Sequence, residues 1–206
     1  IWGERYSFQN CDAILHKNAP EELDALPAYF EVKKKPILLC GCDPYQKWFV
    51  NYNPKEKLSK IDGHIHVVHA GTFMDNKTLS MAEDIKNVLK QKIHFHMYPL
   101  TKLTEEELYK ITENNENLKK YFHQHDFVSP EKLSQEISKY DFGMFYFRFT
   151  NTVSEKSSKY SFGNKRASYF EALIPSITHS AAETINKDVE KEYLGIVLDD
   201  IKDLRK

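Results

Sequence analysis

From residue 63 onward, short apolar runs alternate with segments of helical period, and this alternation is the strongest constraint on the fold. Gly63-His64-Ile65-His66-Val67-Val68-His69-Ala70-Gly71 reads as a strand stopped by glycine. Residues 79–89 put Met81, Ile85, Val88 and Leu89 on one helical face, and Ile93 to Met97 form the next strand. A Thr-x-x-Glu capping box, Thr104 to Glu107, opens a helix. Tyr121-Phe122 then read as a short strand, and Ser129-Pro130 as a serine cap with proline at the first helical position. The series continues with an aromatic strand over 141–147, a helix over 165–173, a strand over 175–178, a helix over 186–193 and a last strand over 195–198. Residues 11–15 and 36–40 read as two earlier strands, with a helix opening at Pro20 between them. Strands alternating with helices of ~10–15 residues imply right-handed crossovers and a parallel sheet covered on both faces. The expected class is α/β, doubly wound.

At 206 residues the chain can bury about 70% of its unfolded surface. Lys and Arg number 29 against 30 Asp and Glu, a balance that disfavours a nucleic-acid partner. No apolar run approaches the ~20 residues of a membrane span, and no charged start precedes an apolar signal core. A soluble, cytoplasmic protein is expected. Three cysteines, with Cys40 and Cys42 one residue apart, fit neither a disulfide framework nor a zinc ribbon. Residues 51–62 are polar, contain proline and carry no apolar period, so they read as a linker. This divides the chain into 1–50, too small to cover a sheet alone and so a partial domain, and 63–206, a nearly complete α/β domain. The first residue is isoleucine, and a cut piece of a longer protein is expected.

In an open parallel sheet, ligands bind beyond the carboxyl ends of the strands. Gly71-Thr72 would let the backbone approach a ligand there. The following helix would present its positive dipole end, with Lys77 adding a point charge. At 160–178, backbone amides at Phe162-Gly163, the Asn164 amide and the Lys165 ammonium would converge at a helix start, the ingredients of a diphosphate clamp; a capped helix with a solvated Lys-Arg pair accounts for this stretch equally well. Three histidine pairs, His64/His66, His94/His96 and His123/His125, each put two imidazoles on one face of a strand. Asp62-Gly-His64-Ile-His66 has the form of an amidohydrolase metal motif, but that barrel needs about 250 residues and only a short stretch follows. Structural histidines on strands and sheet edges are the expectation, with no metal. Cys40 and Cys42 lack a local base for nucleophilic work, and Asp141 lacks the second acid of a phospho-acceptor site.

Lys165, Tyr169 and Pro175, closing on Pro-Ser-Ile-Thr, resemble the Lys-x-x-Glu-Tyr-x-x-x-Gly-x-Pro signature of GT-B glycosyltransferases of family 4, which are retaining and use nucleotide-sugars. His66-Val-Val-His-Ala-Gly71 is similar to the strand-glycine that opens their donor domain, with Lys77 near the phosphate-binding lysine. Phe127-Val128-Ser129-Pro130-Glu131 is similar to the loop lining the nucleobase; Lys139-Tyr-Asp141-Phe-Gly-Met and Gly195-Ile-Val-Leu resemble two later strands. Glu4 to Leu15 and Pro36 to Phe49, including Gly41-Cys42-Asp43, resemble the end of the acceptor domain and the hinge. The resemblance implies a Rossmann-like doubly wound sheet, the GT-B C-terminal half, with a short α/β remnant of a second domain. It implies binding of a UDP- or GDP-sugar donor and, in the full-length protein, metal-independent transfer to a glycan or lipid-linked acceptor in polysaccharide biosynthesis. Peripheral membrane association of the full-length protein goes with such an acceptor. The donor-site set is Gly71, Thr72, Lys77, Phe127, Val128, Gly163, Asn164, Lys165, Ser168 and Glu171; no catalytic residue is assigned. Ser168 stands where the family has a ribose-binding glutamate, Thr72 where it has arginine, and Leu173 where it has glycine. Serine cannot make a carboxylate's charge-assisted bidentate contact, so Glu171, one helical step on, is the alternative ribose partner. With these departures, a non-catalytic nucleotide-binding or structural module is the alternative reading.

Overall fold

The computed structural model describes residues 2–24, 30–40, 44–51, 53, 56–76, 79–146, 159–160 and 163–205. Helix α1 (Trp2–Asn10), strand β1 (Ile14–His16), α2 (Glu21–Asp24) and β2 (Ile37–Leu39) come first, and β1 and β2 pair in parallel. After α3 (Ser59–Asp62), strand β3 (His66–Ala70) leads through a hairpin of β4 (Asp75–Asn76) and β5 (Leu79–Ser80) into α4 (Met81–Lys90). Then follow β6 (His94–Tyr98), α5 (Glu105–Thr112), α6 (Glu116–Lys119), β7 (Phe122–Gln124), α7 (Pro130–Ile137) and β8 (Phe142–Phe145). The described chain ends with α8 (Asn164–Glu171), β9 (Ser176–His179), α9 (Glu183–Lys191) and β10 (Gly195–Leu198).

Six strands form one sheet in the order β7-β6-β3-β8-β9-β10, every pair parallel. Numbered by appearance within that sheet the order is 3-2-1-4-5-6, the doubly wound arrangement whose direction reverses between its first and fourth strands. The reversal falls between β3 and β8. Strand β3 is buried along its whole length, as a central strand covered on both faces must be. Successive residues enter opposite layers: Val67 packs with Ile85, Phe95 and Met97, whereas Val68 packs with Ile137, Tyr140 and Tyr169. On the first face α4 buries Met81, Ala82, Ile85, Val88 and Leu89, the stripe its period required. The Thr104–Glu107 capping box forms as expected, with both reciprocal bonds present. Among the described residues, no helix is long and apolar enough to cross a membrane.

Some boundaries differ from the sequence reading. Helix α1 carries no strong apolar stripe to announce it. Helix α4 starts at Met81, after a hairpin the pattern did not reveal. Helix α9 starts three residues before Asn186, because that side chain serves the turn ahead of it: its Nδ2 donates to the His179 and Ser180 carbonyls, and its Oδ1 accepts from the Thr178 hydroxyl. The expected Gly41-Cys42-Asp43 hinge, the loop over 154–158 and Phe162 lie outside the described residues, as does Phe147.

Candidate functional site

The reversal point between β3 and β8 brings the two sequence-distant halves of the expected donor site together. Gly71 ends β3 with φ +132°, a backbone conformation open to glycine alone. A Cβ placed there would stand 2.5 Å from Lys165 Cε and 3.2 Å from its Nζ. The Lys165 side chain therefore lies directly over the Gly71 backbone, in space that a Cβ would take. Gly163, with φ +60°, precedes α8; its own Cβ would fall 2.1 Å from the Phe145 ring at the end of β8. These two glycines fix the start of α8 against the carboxyl ends of β3 and β8. Gly163 offers no side-chain cap, so the end of the helix carrying partial positive charge is left without one at this point.

Electrostatics fit an anion. Burial pushes the Lys165 ammonium below its ordinary range, because a charged amine is poorly solvated there. An anionic ligand beside it would favour the charged form. Beside it His69, on β3, is held neutral, its pKa pushed down to about 3 by burial and then by the Lys165 charge. Its Nδ1 lies 3.2 Å from the Met144 carbonyl, and the Thr72 backbone also contacts the ring. His69 was not among the expected site residues; its position two residues before Gly71 was the available signal. The Gly71 N–H itself donates to the Tyr98 carbonyl (2.9 Å), so it completes the sheet and does not face a ligand.

The remaining expected residues divide. Thr72 is exposed beside Gly71, and Asn164 is exposed at the first turn of α8. Phe127 is 60% exposed in the loop after β7, whereas Val128 packs against the layer that contains Ala70 and Tyr169. Ser168 is half-buried on α8. Lys77 lies outside the described residues. Two expectations are corrected. The helix following Gly71 does not offer its amino end to the site: the hairpin intervenes, and the Asp75 carboxylate accepts from the Ala82 N–H (3.1 Å). The helix end at the reversal point is that of α8. Glu171, the alternative ribose partner, is turned into the core instead, because its oxygens already have donors. Oε1 accepts from the Tyr45 N–H (2.6 Å) and Oε2 from the Ser134 hydroxyl (3.1 Å), while its carbonyl accepts from Val50 N–H (3.0 Å). Glu171 thus ties the segment around residues 45–50 to α7 and α8.

His66, His94, His96 and His123 occupy one face of β3, β6 and β7, with His64 just before β3 and His125 just after β7. His66 stacks on His94 with ring centroids 4.7 Å apart, and His96 on His123 at 4.5 Å. The parallel register puts His66 opposite His94 and His96 opposite His123, so pairs separated by about thirty residues become one cluster.

Residues 82–206 match the family described as "Glucosyltransferase 3-like, C-terminal domain". No curated protein matches the sequence. Among solved structures, Anabaena HepE in complex with UDP-glucose is similar over 98% of this chain and 54% of its own, with 10% identity and a TM-score of 0.64. S. aureus TarM, in complex with fondaparinux, α-GlcNAc-glycerol and UDP, is similar over 97% of this chain and 36% of its own, with 12% identity and a TM-score of 0.62. The pneumococcal O-GlcNAc transferase GtfA, in complex with UDP and GlcNAc, is similar over 84% of this chain and 32% of its own, with 13% identity and a TM-score of 0.56. The chain spans about half or less of the length of these proteins. At such identities the likeness speaks to the fold, a Rossmann-like sheet of the GT-B type. With the family match covering more than half its length, the chain belongs to the glucosyltransferase 3-like glycosyltransferases, residues 82–206 lying in their C-terminal domain.

Proposed function

We propose that this chain is the donor-binding half of a hexosyltransferase that takes a UDP- or GDP-linked sugar. The observation that carries the reading is the Lys165 ammonium lying over the glycine backbone at the reversal point of the sheet. There the diphosphate sits between the Thr72 N–H, Lys165 and the start of α8 with Asn164. The base lies along Phe127 and Val128, and Ser168 faces the ribose. Lys77 is assigned to the same diphosphate by the family resemblance. When the bond between the sugar C1 and the phosphate oxygen breaks, negative charge builds on the departing diphosphate. A preplaced ammonium and helix end stabilise that charge more than the ground state, and the reading needs no metal for it. The complexes of HepE, TarM and GtfA contain UDP, which supports this donor class.

In the full-length protein, residues 1–50 would close an acceptor half, 51–62 would act as a linker and 63–206 would hold the donor. Strands β1 and β2 support this: Leu15, Leu38 and Leu39 are exposed on a two-stranded pair, where a larger sheet domain would cover them. The sugar passes to a glycan or lipid-linked acceptor in polysaccharide synthesis, in the cytoplasm, with peripheral attachment to the membrane. UDP titration of the chain and of Lys165→Ala tests the reading. Loss of a charge-assisted contact, about 1.5–3 kcal/mol, should weaken binding by at least about tenfold. Equal affinities would overturn it.

A further inference from the structure

The face of β3 and β6 opposite α4 carries a polar cluster that donor binding does not use. His66 begins β3, whereas the donor site follows Ala70, about 13 Å further along the strand. We infer that Asp62, His66 and His94 form a binding site for a transition metal ion of the Zn2+ class, separate from the donor site and structural in role. One ligand atom from each of the three lies within 4.8 Å of the other two. Two imidazoles and a carboxylate are a donor set suited to Zn2+, Co2+ or Ni2+.

The surrounding histidines form the outer shell such a site requires. His66 Nδ1 lies 2.9 Å from His96 Nε2, and His94 Nδ1 lies 2.8 Å from His123 Nε2. His96 Nδ1 in turn lies 2.9 Å from His125 Nε2. A neutral imidazole has one N–H and one lone pair, so this row has two internally consistent directions. In one, His66 Nε2–H donates to Asp62, at 3.1 Å from Oδ2. In the other, every Nδ1–H points along the row, and the His66 Nε2 lone pair faces the carboxylate. A cation between them favours the second direction, which leaves His66 donating its other N–H to His96 as metal-bound histidines do; His94 has the same kind of partner separately, its Nδ1 lying against His123 Nε2. His64 stands beside this cluster without belonging to the ligand set. Its ring stands 5.4 Å from that of His94, and its Nδ1 is buried with no hydrogen-bond partner among the described residues.

Bonds of about 2.0–2.1 Å require the ligand atoms to draw closer by an ångström or so. Asp62 can supply this movement: its side chain is 40% exposed, and it ends a one-turn helix just before Gly63. A bound ion would fasten α3, and with it the linker's entry into the domain, to β3 and β6.

The test uses the chain without a histidine tag, stripped with chelator and titrated with Zn2+ against a chromophoric competitor. One ion per chain and a raised Tm are expected. Asp62→Asn and His94→Gln should each weaken binding by at least about tenfold. His16→Gln and His179→Gln, at histidines elsewhere in the fold, should leave it unchanged. UDP affinity should be the same with and without Zn2+, so that failure here is distinct from failure of the donor reading. Circular dichroism checks that His94→Gln folds, and Asp62→Asn, on a partly exposed side chain, decides the matter where it does not. Absence of binding at micromolar Zn2+, or stoichiometric binding that survives Asp62→Asn, overturns the assignment.

Discussion

Replacing Gly71 by alanine isolates the step from backbone geometry to ligand binding. The new methyl would stand 2.5 Å from Lys165 Cε and 3.2 Å from Nζ, at a backbone φ of +132°. Strain of this kind costs about 1–3 kcal/mol. Its relief falls on the flexible end of Lys165, which is the ammonium assigned to the diphosphate. Displacing it removes a charge-assisted hydrogen bond of about 1.5–3 kcal/mol, about ten- to 150-fold in Kd. Gly63→Ala is the matched control: Gly63 also has positive φ, +76°, but a Cβ there meets nothing within 4 Å. Urea denaturation should show both variants destabilised, and calorimetric titration should show UDP affinity lost only in Gly71→Ala. Equal UDP affinity in the two variants would refute the reasoning, because it would separate the close approach of Lys165 from nucleotide binding.

Three further outcomes follow from the same geometry. Lys165→Met should lose UDP binding yet be at least as stable as the wild type at pH 7. Its folded pKa is depressed by burial, so the charged amine opposes folding at neutral pH, and wild-type stability should gain on the variant as pH rises from that depressed value toward 10.5. Glu171→Gln should change UDP affinity by less than about threefold while speeding hydrogen exchange at the Tyr45 amide, because the carboxylate holds that N–H; a large loss of UDP affinity would return Glu171 to the ribose. His69 is neutral in the folded chain, with its pKa down at about 3 against 6.5. The unfolded chain therefore binds the extra proton first, and stability falls as pH drops through 6.5, by about 1 kcal/mol between pH 6.5 and 5.5 from this residue. Urea denaturation of His69→Gln should show a shallower fall over that interval.

The six-stranded sheet was legible because five of its strands are runs of four to five residues rich in apolar side chains, set off by glycine, proline or charge; the sixth, β7, has only three residues. The Thr104 capping box and Pro130 at a first helical position were legible because each of these two signals lies within a few neighbouring residues. What escaped was set by contacts distant in sequence. The Asp75 carboxylate caps α4 from across a hairpin, and no local pattern announces that. Glu171 sits one helical turn from Ser168, where period alone placed it near a ribose, but the Tyr45 amide approaches from 126 residues away and turns it inward. The histidine pairs were visible at spacing two; their assembly depends on the parallel register of β3, β6 and β7, which aligns residues about thirty apart. Gly71 and Lys165 were both singled out, but only the fold puts one over the other.

A crystal structure of this chain grown with UDP tests the central claim most directly. The account predicts diphosphate oxygens at hydrogen-bond distance, about 2.7–3.2 Å, from the Thr72 N–H and Lys165 Nζ, with the base against Phe127 and Val128. Nucleotide seated instead at the opposite end of the sheet, in the cleft of about 390 Å³ lined by Lys57, Lys60 and Asp141, would contradict it.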